Sequence, residues 1–309
     1  MEKHQMFQNN LVSIVMRTVG ERPREIRRAL ESVLANNQRP LEIIIVYQGS
    51  DDERWTGVQL LSGEFPDLQV HAIRNAGLGD RRAESLNIGW DTAKGRYVGF
   101  LDDDDTLEPS HVELLQKAIE GSGRAWAYAQ VVLRREDEAL QVVSETRPFR
   151  RLAFSLKALW EENFLPIHSF LIDRNRLHVS LRYRPFCEDL DRSEDWDFLL
   201  RLAFYHEPAV VEDFTATYYV STGSRNTNLS LTSGSADEER KRHNLQAWER
   251  CKLLVEQRKG MLIAPFWWAQ DYFSFQTRSP EEDVPTQAPH RMFRQRVVRK
   301  LIRILERWL

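Results

Sequence analysis

The chain has 309 residues, 42% of them hydrophobic and 29% charged, with a formal net charge of −3. That length and composition suit a soluble protein with a substantial core, and the charge excludes any global attraction to nucleic acid, leaving basic surfaces local. Two cysteines, Cys187 and Cys251, without CxxC spacing exclude a disulfide framework and a cysteine-rich zinc site.

In chain order, Leu11 to Met16 reads as a buried strand, and Arg24 to Ala35 as a helix with Ile26, Ala29, Leu30, Val33 and Leu34 on one face. Leu41 to Tyr47 is a second strand, closed by the turn cluster Gln48-Gly49-Ser50-Asp51. Leu68 to Ile73 is a third strand, Ala83 to Ala93 a helix, and Arg96 to Leu101 a fourth strand. Strands alternating with helices at this spacing predict an α/β fold with a parallel, doubly wound sheet and ligands outside the strands' carboxyl ends. The polar clusters fall at those ends: Arg17-Thr18, Gln48 to Asp52, Arg74 to Arg82, and Asp102 to Asp105.

The fourth strand stops abruptly in four consecutive aspartates, with Pro109 expected in the first turn of the next helix. Adjacent carboxylates repel one another, and a hard divalent cation such as Mg²⁺ or Mn²⁺ suits such an oxygen-rich corner. A solvated acidic turn capping the next helix is the simpler alternative.

A second half begins near residue 125. Tyr128 to Arg134 and Leu140 to Ser144 suit two strands about a turn at 136–138, Phe164 to Asp173 supplies an apolar run, and Glu194 to Tyr205 is a helix with Ser193 as its expected N-cap. Residues 221–235 are rich in Ser, Thr, Asn and Gly, as in a mobile loop. Residues 237–309 read as mostly helical, with aromatics clustered at 266–275. From His290 to Leu309, seven basic residues and an apolar stripe at helical spacing fit either an anionic membrane surface or packing on the protein's own core. The polar start lacks the apolar segment of a signal peptide, and no run reaches the ~18 apolar residues of a membrane span, so a cytoplasmic location is expected, with 290–309 as a peripheral contact with the membrane's inner face.

Taken together, several segments resemble the family 2 glycosyltransferases of GT-A fold, from about Leu11 to Asn228. These are Leu-Val-Ser-Ile-Val-Met-Arg-Thr at 11–18, Ile-Val-Tyr-Gln-Gly-Ser-Asp at 45–51, Asn75-Ala-Gly77, Asn87-Ile-Gly89, Leu-Asp-Asp-Asp-Asp at 101–105, and Ser-Glu-Asp-Trp-Asp-Phe-Leu-Leu-Arg-Leu at 193–202. The resemblance implies a GT-A domain over 1–235, with a nucleotide-sugar half to about 124 and an acceptor half from 125, followed by a helical extension at 236–309. The implied activity is inverting transfer of a sugar from a nucleoside diphosphate to an acceptor hydroxyl, in cell-surface polysaccharide synthesis on a lipid carrier. Synthases of the family that act processively carry Gln-x-x-Arg-Trp and membrane helices. Both are absent here, so addition of one sugar or a few is expected.

Carried onto this chain, the family's pattern makes Asp102, Asp104 and Asp105 ligands of Mn²⁺ or Mg²⁺, and Asp195 the general base with Glu194 as the other candidate. Thr18, Gln48, Asp102 and Asp103 would bind the nucleotide sugar, Arg81 and Arg82 would clamp its phosphates, and Arg225, Asn226 and Asn228 would close over it. Trp196 would line the acceptor pocket, His168 either lines it too or is a satisfied core histidine, and Asp197 and Arg201 read as structural. Where many relatives carry two aspartates before Gly-Ser, this chain has Tyr47-Gln48, and an amide can either accept from or donate to a base. Gln48 thus leaves the nucleotide open, with a UDP or dTDP sugar preferred. Two other functions are compatible with an acidic strand end: a nucleotidyltransferase, opposed by the single glycine between Arg17 and Pro23, and a binding module without turnover, opposed by the intact Asp102, Asp104 and Asp195.

Overall fold

A computed structural model of the chain describes residues 7–77, 79–222 and 235–263. The first half alternates as the hydrophobic periodicity predicts: β1 (Gln8–Thr18), α1 (Pro23–Leu34), β2 (Leu41–Gln48), α2 (Asp52–Gly63), β3 (Gln69–Asn75), α3 (Arg82–Thr92) and β4 (Gly95–Asp102). There follow β5 (Thr106–Leu107), α4 (His111–Ser122), β6 (Trp126–Glu136), β7 (Val142–Thr146), α5 (Leu156–Glu161), β8 (Phe170–Asp173), α6 (Glu194–Tyr205), β9 (Ala209–Ser221) and α7 (Ser235–Ile263). The chain divides after Glu256 into two units. The sheet and its site belong to the first, and of the second only residues 257–263 are described.

The strands form one mixed sheet in the order β3-β2-β1-β4-β8-β6-β9-β5, with β7 paired to β6. β3, β2, β1 and β4 are mutually parallel, β8 runs antiparallel to both β4 and β6, and β9 is parallel to β6. The chain winds outward from β1 through β2 to β3, then returns to place β4 on the other side of β1. The crevice between the carboxyl ends of β1 and β4 is therefore the switch point at which α/β sheets bind ligands.

Side-chain alternation sorts these strands onto two faces. Val12, Ile14 and Met16 of β1, Ile43, Ile45 and Tyr47 of β2, and Tyr97 and Leu101 of β4 enter the core that contains α1 and α4. On the other face, α3 approaches β1 so closely that a Cβ on Gly89 would overlap Cγ1 of Val15. Here Trp90, Phe100, Phe170, Phe186 and Phe198 stack edge and face within 4.7–6.4 Å of one another. Because Phe198 lies on α6, this aromatic cluster docks the start of α6 near the ends of β1 and β4.

Three sequence expectations change. Pro109 lies ahead of α4, which starts at His111, and its carbonyl accepts from Asn37 N–H at 2.8 Å. Ser193 precedes α6 in the left-handed region (φ 61°) and makes no side-chain cap bond, while its carbonyl accepts from the Asp197 N–H at 3.0 Å. Residues 52–63 and 209–221, left unassigned by periodicity, form α2 and β9. In α2 only Val58 and Leu61 are buried, too few to mark an apolar face. The aromatic cluster at 266–275 and the basic segment 290–309 lie outside the described residues. Among the described residues no helix is long and apolar enough to cross a membrane.

The Gly89–Val15 contact sets a prediction. Gly89→Ala should destabilise the protein by about 1–3 kcal/mol, as overpacking does, and the loss should appear as a lowered midpoint in urea denaturation.

Candidate active site

The same alternation that builds the core decides where the polar residues at the strand ends point. Arg17 and Asp102 are register partners on β1 and β4 and share the face toward α3 and α6. Arg17 Nε donates to Asp102 Oδ1 at 3.0 Å, and its Nη1 donates to the buried Glu194 at the start of α6. Thr18 points the opposite way. Its hydroxyl donates to Asp103 Oδ2 at 2.5 Å, where Arg22 Nη2 also donates to Oδ1 at 2.6 Å, and Arg22 Nη1 reaches Asp104.

The four aspartates alternate in exposure. Asp102 and Asp104 are 27% and 26% exposed, against 5% and 0% for Asp103 and Asp105. Asp105 accepts the Tyr219 N–H at 2.8 Å, and its other oxygen lies 2.9 Å from His168 Nδ1, off the line of a good hydrogen bond. The carboxyl of Asp102 is pushed up by burial, but Arg17 outweighs this and holds it below the usual range. Burial and the neighbouring carboxylates push Asp104 well above that range despite Arg22. Asp103 and Asp105 are also raised, chiefly by burial.

Among the described residues no three His, Cys, Asp or Glu side chains converge as a ready-made metal cage. Asp102 and Asp104 nevertheless fit a hard divalent cation of the kind that completes its coordination with substrate phosphates and water. They offer two hard oxygen donors with an open side, and Asp104 is short of positive charge. Asp105, enclosed against His168 and the Tyr219 amide, supports the turn from behind. His168 is likewise buried, stacked on Tyr218 at 6.0 Å rather than facing open space.

Asp195 follows Glu194 in the first turn of α6. It accepts from Asn163 Nδ2 at 3.1 Å and from the Trp196 N–H at 2.8 Å. Burial pushes its carboxyl up to about 7, the Glu194 carboxylate adds to the shift, and Arg17 opposes it. The Trp196 indole donates to the Leu159 carbonyl at 2.7 Å, fixing the ring beside this carboxyl. Asp197 pairs with Arg201 at 2.7 Å within α6.

At the end of β2, Gln48 Nε2 donates to the Gly79 carbonyl at 3.3 Å. A carbonyl can only accept, so the amide nitrogen must face it, and Oε1 is left as the free group. Arg82, at the start of α3, pairs with Asp80 at 2.9 Å and is close enough to help lower Asp102. Arg81 turns to Glu84 instead, and Asp80 is also held by Arg192. The expected loop residues Arg225, Asn226 and Asn228 lie outside the described residues.

Four participants carry no local sequence signal: Arg17 as a bridge, Arg22, Asn163 and Tyr218. The Tyr218 hydroxyl is pushed up by burial and by the carboxylates Asp105, Asp104, Asp102 and Asp195, which locates it between the strand-end acids and α6. Enrichment in β-branched and aromatic residues at 209–221 could have identified its strand.

Comparison with known proteins bears on the family and the fold. The profile of glycosyl transferase family 2 matches residues 13–180. The uncharacterized glycosyltransferase YwdF of Bacillus subtilis is 28% identical over 225 residues, covering 71% of this chain and 78% of its own. The uncharacterized glycosyltransferase MJ1057 of Methanocaldococcus jannaschii is 25% identical over 219 residues, covering 68% and 71%. In structure, residues 1–349 of S. aureus TarS in complex with UDP-GlcNAc superpose with a TM-score of 0.53 at 16% identity, over 88% of this chain and 77% of that one, a likeness of fold.

Arg22→Met removes the cation shared by Asp103 and Asp104. Thermal melts should then show a loss of about 1–3 kcal/mol at neutral pH, the range for leaving a buried polar group unsatisfied. The raised carboxyls cost nothing once protonated, so the difference from wild type should shrink as pH falls through their titration.

Proposed function

The chain belongs to glycosyl transferase family 2, and on that premise we propose that it moves a sugar from a nucleoside diphosphate to an acceptor hydroxyl with inversion. The observation that carries this reading is the half-buried Asp195 carboxyl, poised near neutrality and tied through Glu194 and Arg17 to Asp102. A carboxylate titrating near the working pH is matched to taking a hydroxyl proton in the transition state. As that proton passes to Asp195, the acceptor oxygen bonds to the anomeric carbon. The bond from that carbon to the phosphate oxygen breaks, and the nucleoside diphosphate leaves with the electron pair. Attack from the Asp195 side, opposite the leaving group, gives inversion.

Asp102 and Asp104 would hold a Mn²⁺ or Mg²⁺ ion, which supplies positive charge for the departing diphosphate. Arg82 adds a cation on the same side, and Thr18 keeps Asp103 turned inward. Trp196 offers a rigid ring beside the base, suited to the apolar face of a sugar acceptor. Gln48, with its nitrogen engaged by Gly79, presents an acceptor to the N3–H of uracil or thymine, which supports a UDP or dTDP donor over a cytidine one. A growing surface glycan, lipid-linked at the inner face of the membrane, is the acceptor class we favour.

Turnover should rise with pH to a plateau above about 7, since only ionised Asp195 accepts the proton. Asp195→Asn should lower kcat by about 10²–10⁴-fold, the usual contribution of a general base, with nucleotide affinity unchanged. Its fold should melt no lower than wild type at pH 8, because a raised carboxyl pKa costs stability increasingly as pH rises toward that pKa. Equal kcat in the variant would overturn the assignment.

Calorimetric titration with UDP, dTDP and CDP provides a separate check. UDP and dTDP should bind more tightly than CDP, and EDTA should weaken all three, with recovery on adding Mn²⁺ or Mg²⁺. Equal affinity with and without EDTA would remove the cation from the proposal.

A further inference from the structure

Arg17 carries no proton and no substrate contact in the chemistry described above, yet its side chain is bonded to both halves of the site. Its guanidinium is 16% exposed and divides its donors between Asp102, on the donor side, and Glu194, which adjoins the base. Ser193 makes no cap bond, and Asp195 itself accepts from Asn163 and the Trp196 N–H. A lysine could supply the charge but not the planar fork that engages two carboxylates in fixed directions.

We infer that Arg17 is a positioning residue of the transfer, holding the Asp195 carboxylate in register with the donor-side acids and shielding it from the charge of Glu194. This rests on the reading of Asp195 as the base, and it separates two contributions. The geometric one is the bridge from β1 to α6. The electrostatic one is the cation beside Glu194. The charged and titratable groups that face Asp195 are Glu194 on its own helix, Arg17 on β1, Asp102 on β4 and the Tyr218 hydroxyl on β9, while Asp197 is occupied by Arg201. Of these Arg17 is the cation, so its removal leaves the carboxylates less opposed at Asp195.

The test compares Arg17→Met and Arg17→Lys in the full chain. Protein labelled with ¹³Cγ-aspartate is titrated by NMR, with the Asp195 signal identified by its loss in Asp195→Asn. Release of UDP from UDP-glucose, UDP-galactose and UDP-GlcNAc, with water as acceptor, is followed over the same pH range. In Arg17→Met the Asp195 midpoint should move above the wild-type value and the plateau rate should fall. In Arg17→Lys the midpoint should stay near wild type while the plateau rate falls, because charge is retained and the two-way hold is lost.

An unmoved Asp195 midpoint in Arg17→Met overturns the inference, because a merely structural arginine would lower the rate without shifting the titration. A wild-type plateau in Arg17→Lys overturns the geometric half. Should Arg17→Met fail to fold by circular dichroism, Arg17→Gln, which keeps a hydrogen-bond donor without charge, replaces it with the same expected shift. If Asp195→Asn releases UDP as fast as wild type, the reading of Asp195 as base fails, whereas a normal Asp195 dependence with an unshifted Arg17→Met titration defeats the role of Arg17 alone.

Discussion

Four carboxylates in succession at the end of β4 are the constraint around which the site is arranged. Two like charges 4 Å apart interact with about 4 kcal/mol in an effective dielectric of 20, so such a run can be folded only where cations and N–H groups are brought to it. The chain meets this by splitting the run between two faces. Asp102 turns to Arg17, Asp103 and Asp104 to Arg22, and Asp105 to His168 and the Tyr219 amide. The compensation is incomplete at Asp104, whose carboxyl stays raised despite Arg22.

The alternating geometry of strands links this electrostatic arrangement to the core. Along β1, residues that fill the core under α1 alternate with those facing α3 and α6. Thr18 therefore belongs with Asp103, and Arg17 with Asp102 and Glu194. The aromatic cluster centred on Phe100 and Phe198 carries the second link, docking α6 against the back of β4. Packing among apolar rings thus decides how far the Asp195 carboxyl stands from the acids at the end of β4.

Much of the fold was legible in the sequence because both faces of β1, β2 and β4 are buried, so each reads as a continuous apolar run that ends in polar residues. The boundaries of α6 were legible for the related reason that Phe198, Leu199 and Leu202 share its buried side with Glu194. α2 was hidden because it lies on the surface with few buried contacts. β9 was hidden because its inward residues include Thr215 and Thr217, which are buried yet polar. Among the site residues, the aspartates, Gln48 and Arg17 stood out through their positions at strand ends, while Asn163, Tyr218 and the bridging role of Arg17 did not, because each acts through a partner distant in sequence.

The sequence by itself determined the order of the first four strands, the acidic strand end, the family, and the pair of acids that opens α6. Each depends on local pattern, on residues near one another along the chain. Only the tertiary structure decided which aspartates remain open, which way the Gln48 amide faces, and that His168 is enclosed beside Asp105. It alone decided that one arginine spans Asp102 and Glu194, residues far apart along the chain. Burial, the direction of a hydrogen bond and the distance between charges are properties of assembled neighbours, and those neighbours meet only when α6 closes over the ends of β1 and β4.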